Sequence, residues 1–326
     1  MTMNAAWYEK KGPAAEVLRL GIQPKPRPGP GAVLVRVRAS GVNPSDTKGR
    51  AGARGNAAMP FPLIVPHQDG AGIVEAVGEG VAEARIGERV WLYEAQLGRA
   101  FGTAAEYVAL PAHQAVPMAE GMTFEEGACL GVPALTAHRA VFADGPVEGK
   151  TVLVTGGAGA VGFYAVQFAR AGGARVVATV SNETQAETAR RAGADEVIDR
   201  RADIAARLGE RSVDRIVEVA FGANLAASLR ILRPGGVIAT YASDAEPEPA
   251  LPFWPLVGRD ATIRFVLVYV MSAEAHREAI DYVGRAAAES WLQHNVGAVL
   301  PLDRIAEAHA LVETGRGGGK VVVEIG

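Results

Sequence analysis

Thr151-Val-Leu-Val-Thr-Gly-Gly-Ala-Gly-Ala-Val-Gly162, continuing into Phe163-Tyr-Ala-Val-Gln-Phe-Ala-Arg170, decides the fold. An apolar strand runs into a glycine-rich turn, and the turn opens an amphipathic helix. Gly157, Gly159 and Gly162 keep the G-x-G-x-x-G spacing in the strand–turn–helix context that gives it meaning. The first glycine permits a tight turn, the second lets a pyrophosphate approach the backbone, and the third lets the helix pack close to the strand. The amides at the helix start, those of Ala160, Val161 and Gly162, then face the phosphates. The same residues would also make a tight strand–helix turn that binds nothing. The matching flanks favour a dinucleotide site.

Working outward, strands and helices alternate from Thr151. Strands are expected at 151–155, 175–180, 196–198, 213–219 and 236–241, and helices at 160–171, 182–192, 203–208 and 223–232. Gly193 and Gly235-Gly236 supply stops. This alternation implies an α/β, doubly wound parallel sheet with helices on both faces. Upstream, Thr123-Phe-Glu-Glu126 resembles a capping box that opens a helix through about Val141. The first third reads as β-rich, with strands at 33–38, 72–78, 89–93 and 105–110 between glycine and proline punctuators. Such spacing suggests a barrel or sandwich. Downstream, Asp244–Pro255 reads as an acidic, proline-rich loop. Thr262–Val270 reads as a long apolar strand whose edge invites a second subunit. A helix at 272–288, a strand at 296–300, a helix at 303–313 and a strand at 320–324 complete the pattern.

The 326 residues suggest two domains. A net charge of −3 and the absence of a long basic run argue against a dedicated nucleic-acid binder. One cysteine, Cys129, excludes an internal disulfide and a multi-thiolate zinc site, and its apolar helix marks it as inert core. No stretch approaches the roughly 18 apolar residues of a spanning helix. Met1–Lys10 lacks the apolar core of a signal peptide, so a cytoplasmic protein with no membrane partner is expected.

A site for the unphosphorylated dinucleotide places an acid at the end of the second strand, on the ribose 2′-hydroxyl. Here that position carries Ser181, whose hydroxyl can donate to a 2′-phosphate, and Arg190, Arg191, Arg200 and Arg201 follow. The expected cofactor is NADPH, although each arginine also suits a solvated face.

With these residues in hand, the chain resembles the zinc-independent quinone oxidoreductases, the ζ-crystallin-like branch of the medium-chain dehydrogenase/reductase superfamily. The marks are Ala39-Ser-Gly-Val-Asn-Pro-Ser-Asp46, Pro66-His-Gln-Asp-Gly-Ala-Gly72, Pro133-Ala-Leu-Thr-Ala137, the glycine loop, Leu232-Arg-Pro-Gly-Gly236 and Gly319-Lys-Val-Val322. The resemblance implies a GroES-like β-barrel domain over 1–122 and 263–326 and an inserted Rossmann domain over 123–262, with the nicotinamide in the cleft between them. It implies Asn43 at the nicotinamide or its ribose, Thr136 at the nicotinamide end, Phe221 along the cofactor groove and Lys320 at a cofactor phosphate. His67 would line the substrate cleft. Family habit adds a homodimer. Residue chemistry alone gives plainer roles: Asn43-Pro-Ser-Asp46 makes an N-cap, Thr136 packs a helix, Phe221 packs on the sheet and Lys320 is a surface residue.

Departures from the family pattern sharpen the reading. Zinc-dependent relatives carry a cysteine at Asn43 and a histidine at Gln68, so no metal is expected. The NADPH branch commonly has a lysine at Gln185 and a tyrosine at Arg200. A tyrosine often found after Gly52 gives way to Ala53-Arg54. No nucleophile elbow or phosphate-binding P-loop is present. The expected activity is hydride or single-electron transfer from NADPH to quinones or related α,β-unsaturated carbonyls. An enoyl-thioester reductase, or a non-catalytic NADPH-binding structural or RNA-binding protein, stands as the alternative.

Overall fold

A computed structural model of the chain describes residues 1–53 and 58–326; Arg54 lies outside them. In chain order the strands are β1 (Thr2–Trp7), β2 (Arg19–Pro24), β3 (Ala32–Val42), β4 (Asp69–Val77), β5 (Arg89–Leu92), β6 (Tyr107–Pro111), β7 (Ala115–Pro117), β8 (Thr151–Val154), β9 (Arg175–Val180), β10 (Glu196–Asp199), β11 (Val213–Glu218), β12 (Leu232–Thr240), β13 (Thr262–Phe265), β14 (Val296–Pro301) and β15 (Lys320–Glu324).

One sheet runs β10-β9-β8-β11-β12-β13 with every neighbouring pair parallel. The chain enters at β8, winds outward through β9 and β10, then returns to build the other half from β11. The carboxyl ends of β8 and β11 therefore meet at a switch point. Val152, Leu153 and Val154 are all buried, as a strand covered on both faces requires. Helices Ala160–Ala171, Glu183–Arg191, Ile204–Leu208 and Phe221–Ile231 follow successive strands. Leu225, Leu229 and Ile231 close the core over Leu153, Ile216 and Ile238.

The second large sheet runs β14-β15-β3-β4-β5-β7, with β6 also on β3. Val33, Val35 and Val37 are buried while Arg36 and Arg38 are half-buried, so the alternation in β3 sorts core from surface. Its eleven residues reach three partners: β6 along Ala32–Arg36, β15 along Ala39–Val42, and β4 over most of the length.

The chain divides into two compact units, 1–132 with 282–290 and 294–326, and 133–281 with 291–293. The expected boundaries at 122/123 and 262/263 fall earlier in the chain. The expected helix from Thr123 is two helices, Phe124–Gly127 and Gly131–Phe142, and Pro133 suits only the first turn of the second. The expected strand at 262–270 is only Thr262–Phe265, which joins the parallel sheet. Its ladder stops because Phe265 pairs with Thr240, the last residue of β12. β1, β2 and β7 were not expected from the sequence pattern. Among the described residues, no helix is long and apolar enough to cross a membrane.

Arg215 on β11 is 1% exposed. Its guanidinium donates to the carbonyls of Asp144 at 2.8 Å, Gly145 at 3.0 Å and Val141, all at the carboxyl end of helix Gly131–Phe142. Those carbonyls have no partner within the helix, and a cation suits that end of the dipole. Arg215→Met is expected to lower the unfolding free energy by about 2–3 kcal/mol, read from denaturant midpoints, because charged hydrogen bonds are lost and buried acceptors orphaned.

Candidate active site

The carboxyl ends of β8, β9 and β10 lie side by side. β8 runs into the glycine turn, where the left-handed conformation falls on Gly156 (φ 65°), one residue before the expected tight-turn glycine. Gly156 N–H donates to Thr179 Oγ1 at 3.2 Å and Gly157 N–H to the Thr179 carbonyl at 3.0 Å, which pins the turn to β9. A Cβ on Gly157 would stand 2.6 Å from Ala178 Cβ, and one on Gly162 would stand 2.2 Å from the Gly156 carbonyl oxygen. Packing alone demands both glycines. Gly159 differs: it is exposed and caps helix Ala160–Ala171 without a side-chain hydrogen bond to the first-turn amides, those of Ala160, Val161 and Gly162. An open helix start of this kind fits an anionic group.

Ser181 follows β9 and is half-buried. Asn182 Oδ1 accepts from Gln185 N–H at 3.0 Å, and Gln185 Oε1 turns back to accept from Ser181 N–H at 2.8 Å. Gln185 is thus occupied in closing the helix start. Arg200 follows β10, its amide bonded to the Val180 carbonyl at 2.8 Å and its side chain exposed. Arg190 pairs with Glu183 and Arg201 with Asp199, whereas Arg200 has no ion pair among the described residues. Ser181 and Arg200 therefore end adjacent strands, with no carboxylate on Ser181's position.

Glu218, at the end of β11, is a site residue the sequence reading missed. It is fully buried, and Oε1 accepts from Ala220 N–H at 2.6 Å, Asn224 Nδ2 at 2.9 Å and Thr155 Oγ1 at 2.9 Å. It ties the ends of β8 and β11 together at the switch point. Burial pushes its carboxyl pKa up against these hydrogen bonds. The signal was present: an acid directly after the apolar pair Ile216-Val217 at the end of a strand.

Other expected residues sit differently. Thr136 is buried on helix Gly131–Phe142. Phe221 does not face an open groove: it is 2% exposed, opens its helix directly over the sheet, and meets Phe265 edge-to-face at 5.7 Å.

In the other unit, Asn43 caps helix Pro44–Ala51, as its sequence implies, and its backbone N–H donates to Asp46 Oδ2 at 2.8 Å. Its side chain does more. Nδ2 donates to Asp69 Oδ2 at 2.8 Å, and Oδ1 accepts from Lys320 Nζ. Lys320 is neither a surface residue nor free for a cofactor phosphate. It is 3% exposed, and its ammonium lies 2.7 Å from Asp69 Oδ2. The reason is topological: β15 pairs with β3, which sets Lys320 beside a buried carboxylate. Asp69 Oδ1 also accepts from Val132 N–H at 2.8 Å. Burial first, then the neighbouring Asp69, raises the Asp46 pKa to about 7, with Lys320 opposing.

His67 does not line a cleft either. It is fully buried, with Nδ1 2.7 Å from Ser40 Oγ and Nε2 3.0 Å from His309 Nε2. Burial holds its pKa well below the usual value and lowers that of His309 to about 3. Gln68 and Gln96 exchange two hydrogen bonds, at 3.2 and 3.1 Å. Cys129 is buried, donates to the Glu125 carbonyl, and burial pushes its thiol pKa up to about 12.

Comparison with known proteins bears directly on this geometry. Residues 29–120 match the alcohol dehydrogenase GroES-like domain, and residues 160–285 match the domain described as zinc-binding dehydrogenase. The human quinone oxidoreductase is 30% identical over 298 residues, covering 89% of this chain and 88% of that protein. The chain belongs to the quinone oxidoreductase family of the medium-chain dehydrogenases/reductases. The solved structure of a mycobacterial protein complexed with NADPH superposes with a TM-score of 0.86 at 28% identity, over 99% of this chain and 100% of that one. A thermostable alcohol dehydrogenase from Pyrobaculum aerophilum gives 0.85 at 28% identity, with both chains fully covered. The zinc named in the second family model carries no argument here, because residues 160–285 include neither Asn43 nor Gln68.

The position of Asp46 has a measurable consequence. Its carboxyl titrates near 3.8 when unfolded and near 7 when folded. Below the lower value both states hold the proton. Between the two values only the folded state holds it, so stability falls by up to about 1.4 kcal/mol per pH unit as pH rises, and the loss is complete above the folded value. Asp46→Asn is expected to remove this slope. Thermal midpoints of the parent should fall relative to the variant between about pH 4 and 7 and run parallel above. A gap independent of pH would show Asp46 ionised throughout.

Proposed function

We propose that this protein is a zinc-free, homodimeric reductase that uses NADPH to reduce quinones and related α,β-unsaturated carbonyls. The observation that carries the cofactor reading is the row of strand ends. An open glycine-turned helix start lies on the strand next to the one that ends at Ser181, Arg200 follows the strand beyond with no ion pair among the described residues, and the strand-end position carries a hydroxyl in place of the carboxylate that would repel a 2′-phosphate. The mycobacterial structure with bound NADPH supports it, and the quinone oxidoreductase relatives support the substrate class.

The amides of Ala160, Val161 and Gly162 would hold the pyrophosphate, and Ser181 and Arg200 the 2′-phosphate. When bound, the reduced nicotinamide supplies the hydride. The protein's part is to bind, orient and exclude water. Asn43, read here as part of the reaction site, is 1% exposed and held at both ends of its amide by Asp69 and Lys320, so its part is to fix the start of helix Pro44–Ala51. A quinone is already electrophilic, and its reduced oxygens can take protons from water. Neither a Lewis acid nor a dedicated general acid is then required.

The zinc-free reading stands on the residues themselves. Asn43 and Gln68 replace the expected thiolate and imidazole, Gln68 is bonded to Gln96, and both ring nitrogens of His67 are engaged. This set does not fit a tetrahedral zinc. The dimer reading rests on the outer edge of β13, where Phe265 is 70% and the nearby Val270 74% exposed. An unpaired apolar edge suits an isologous contact with a second copy.

The deciding assay follows NADPH and NADH oxidation with a small quinone panel, with and without a chelator. Turnover is expected with NADPH and insensitive to chelation. Arg200→Ala should raise KM for NADPH about tenfold and leave NADH unaffected, in keeping with loss of one charged contact. Equal effects on both cofactors would remove Arg200 from the 2′-phosphate. Turnover of enoyl thioesters but not quinones would transfer the activity to that class. Sedimentation should show Phe265→Asp as a monomer and the parent as a dimer.

A further inference from the structure

We propose that Arg50, His309 and His67 form a buried positioning lock, a one-way chain of hydrogen bonds that fixes His67 in one neutral tautomer and, through Asp69, holds Asn43 in place. Its effect on turnover rests on the reading of Asn43 as part of the reaction site.

The direction of the chain follows from its two ends. A guanidinium can only donate. Arg50 Nε lies 3.3 Å from His309 Nδ1, so that nitrogen accepts and His309 carries its hydrogen on Nε2. His309 Nε2 lies 3.0 Å from His67 Nε2, which must accept, so His67 carries its hydrogen on Nδ1 and donates to Ser40 Oγ at 2.7 Å. At the other end, Thr103 Oγ1 donates to the Asp69 carbonyl at 2.6 Å. Ser40 Oγ therefore donates to Thr103 Oγ1 at 2.7 Å. Every polar hydrogen along the chain has one place to be.

Two hydrogen-bonded imidazoles between the interior and the surface resemble a proton relay, but this one is closed at both ends. The guanidinium does not release a proton, and the amide carbonyl has no proton to pass on. Both rings are buried, and the charges facing them, Lys320 toward His67 and Arg50 toward His309, oppose protonation further. The backbone agrees. His67 sits at φ 82°, where residues with a side chain are uncommon and persist only when their surroundings over-determine them. The outer end is anchored by Arg50 on the Gly12 carbonyl and on Glu313, a part-exposed carboxylate. The inner end is Asp69, whose carboxylate holds Asn43 and Lys320.

The test uses the full-length protein and two variants. In His309→Gln the amide can accept from Arg50 and donate to His67, which keeps the sense of the chain. His309→Leu can do neither. Imidazole ¹⁵N NMR of the parent is expected to show His67 as the Nδ1–H tautomer and His309 as the Nε2–H tautomer, with neither titrating between about pH 5 and 9. At a temperature where both variants are folded by circular dichroism, His309→Gln should keep kcat for quinone reduction within about twofold. His309→Leu should lower it about tenfold or more with KM for NADPH nearly unchanged, the pattern of a mispositioned group. Titration of either histidine in that range, or a folded His309→Leu with parental kcat, overturns the lock. If His309→Leu does not fold, loss of the Nδ1–H tautomer of His67 or of kcat in His309→Gln overturns it instead. If the parent turns over no quinone yet shows the expected tautomers, the proposed activity fails and the lock is supported.

Discussion

The ion pair between Lys320 and Asp69, at 2.7 Å with side chains 3% and 0% exposed, is the constraint around which one unit is assembled. Neither charge is solvated, so each is tolerable only beside the other, and removing one partner from such a pair typically costs about 3–5 kcal/mol. The surrounding backbone makes room for it. A Cβ on Gly41 would stand 2.8 Å from Lys320 Cε, and one on Gly131 would stand 2.1 Å from Asp69 Oδ1. Asp69 then meets Asn43 and Val132 with its carboxylate and Thr103 with its carbonyl. A single aspartate thus fixes a helix cap, the start of a second helix and a loop hydroxyl together.

The parallel sheet was legible from sequence because its signals are local. The glycine turn, the apolar runs at β8 and β9, and the stop at Gly193 lie within one stretch, and the helix at 160–171 falls as expected. Signals that depend on a partner strand were not local. β13 ends at Phe265 only because β12 ends at Thr240. The apolar residues beyond it carry no mark of that limit.

The site divided along the same line. Ser181 follows β9, where its spacing from the glycines placed it, and Arg200 follows the neighbouring β10. Gln185, which appeared to be the loss of a basic contact, serves as a cap on Ser181. Lys320, His67 and Phe221 were misplaced because burial is a property of the assembled fold. His67 and His309 are 242 positions apart, and nothing in either neighbourhood announces the other. Glu218 was passed over and Asp46 was read only as part of a helix cap, since the pKa of a carboxyl depends on water it has lost.

β15 pairs with β3 and carries the cation that Asp69 requires. During synthesis, β3 and β4 leave the ribosome long before residue 320 exists. For that interval a carboxylate destined for the interior has no counter-ion, and β3 has an open flank. The unit spanning 133–281 meets no such delay, because it is nearly continuous in the chain and its strands find neighbours soon after they are made. The order of translation therefore gives the parallel sheet a head start, and the sheet built on β3 is completed only when β15, its last strand, arrives.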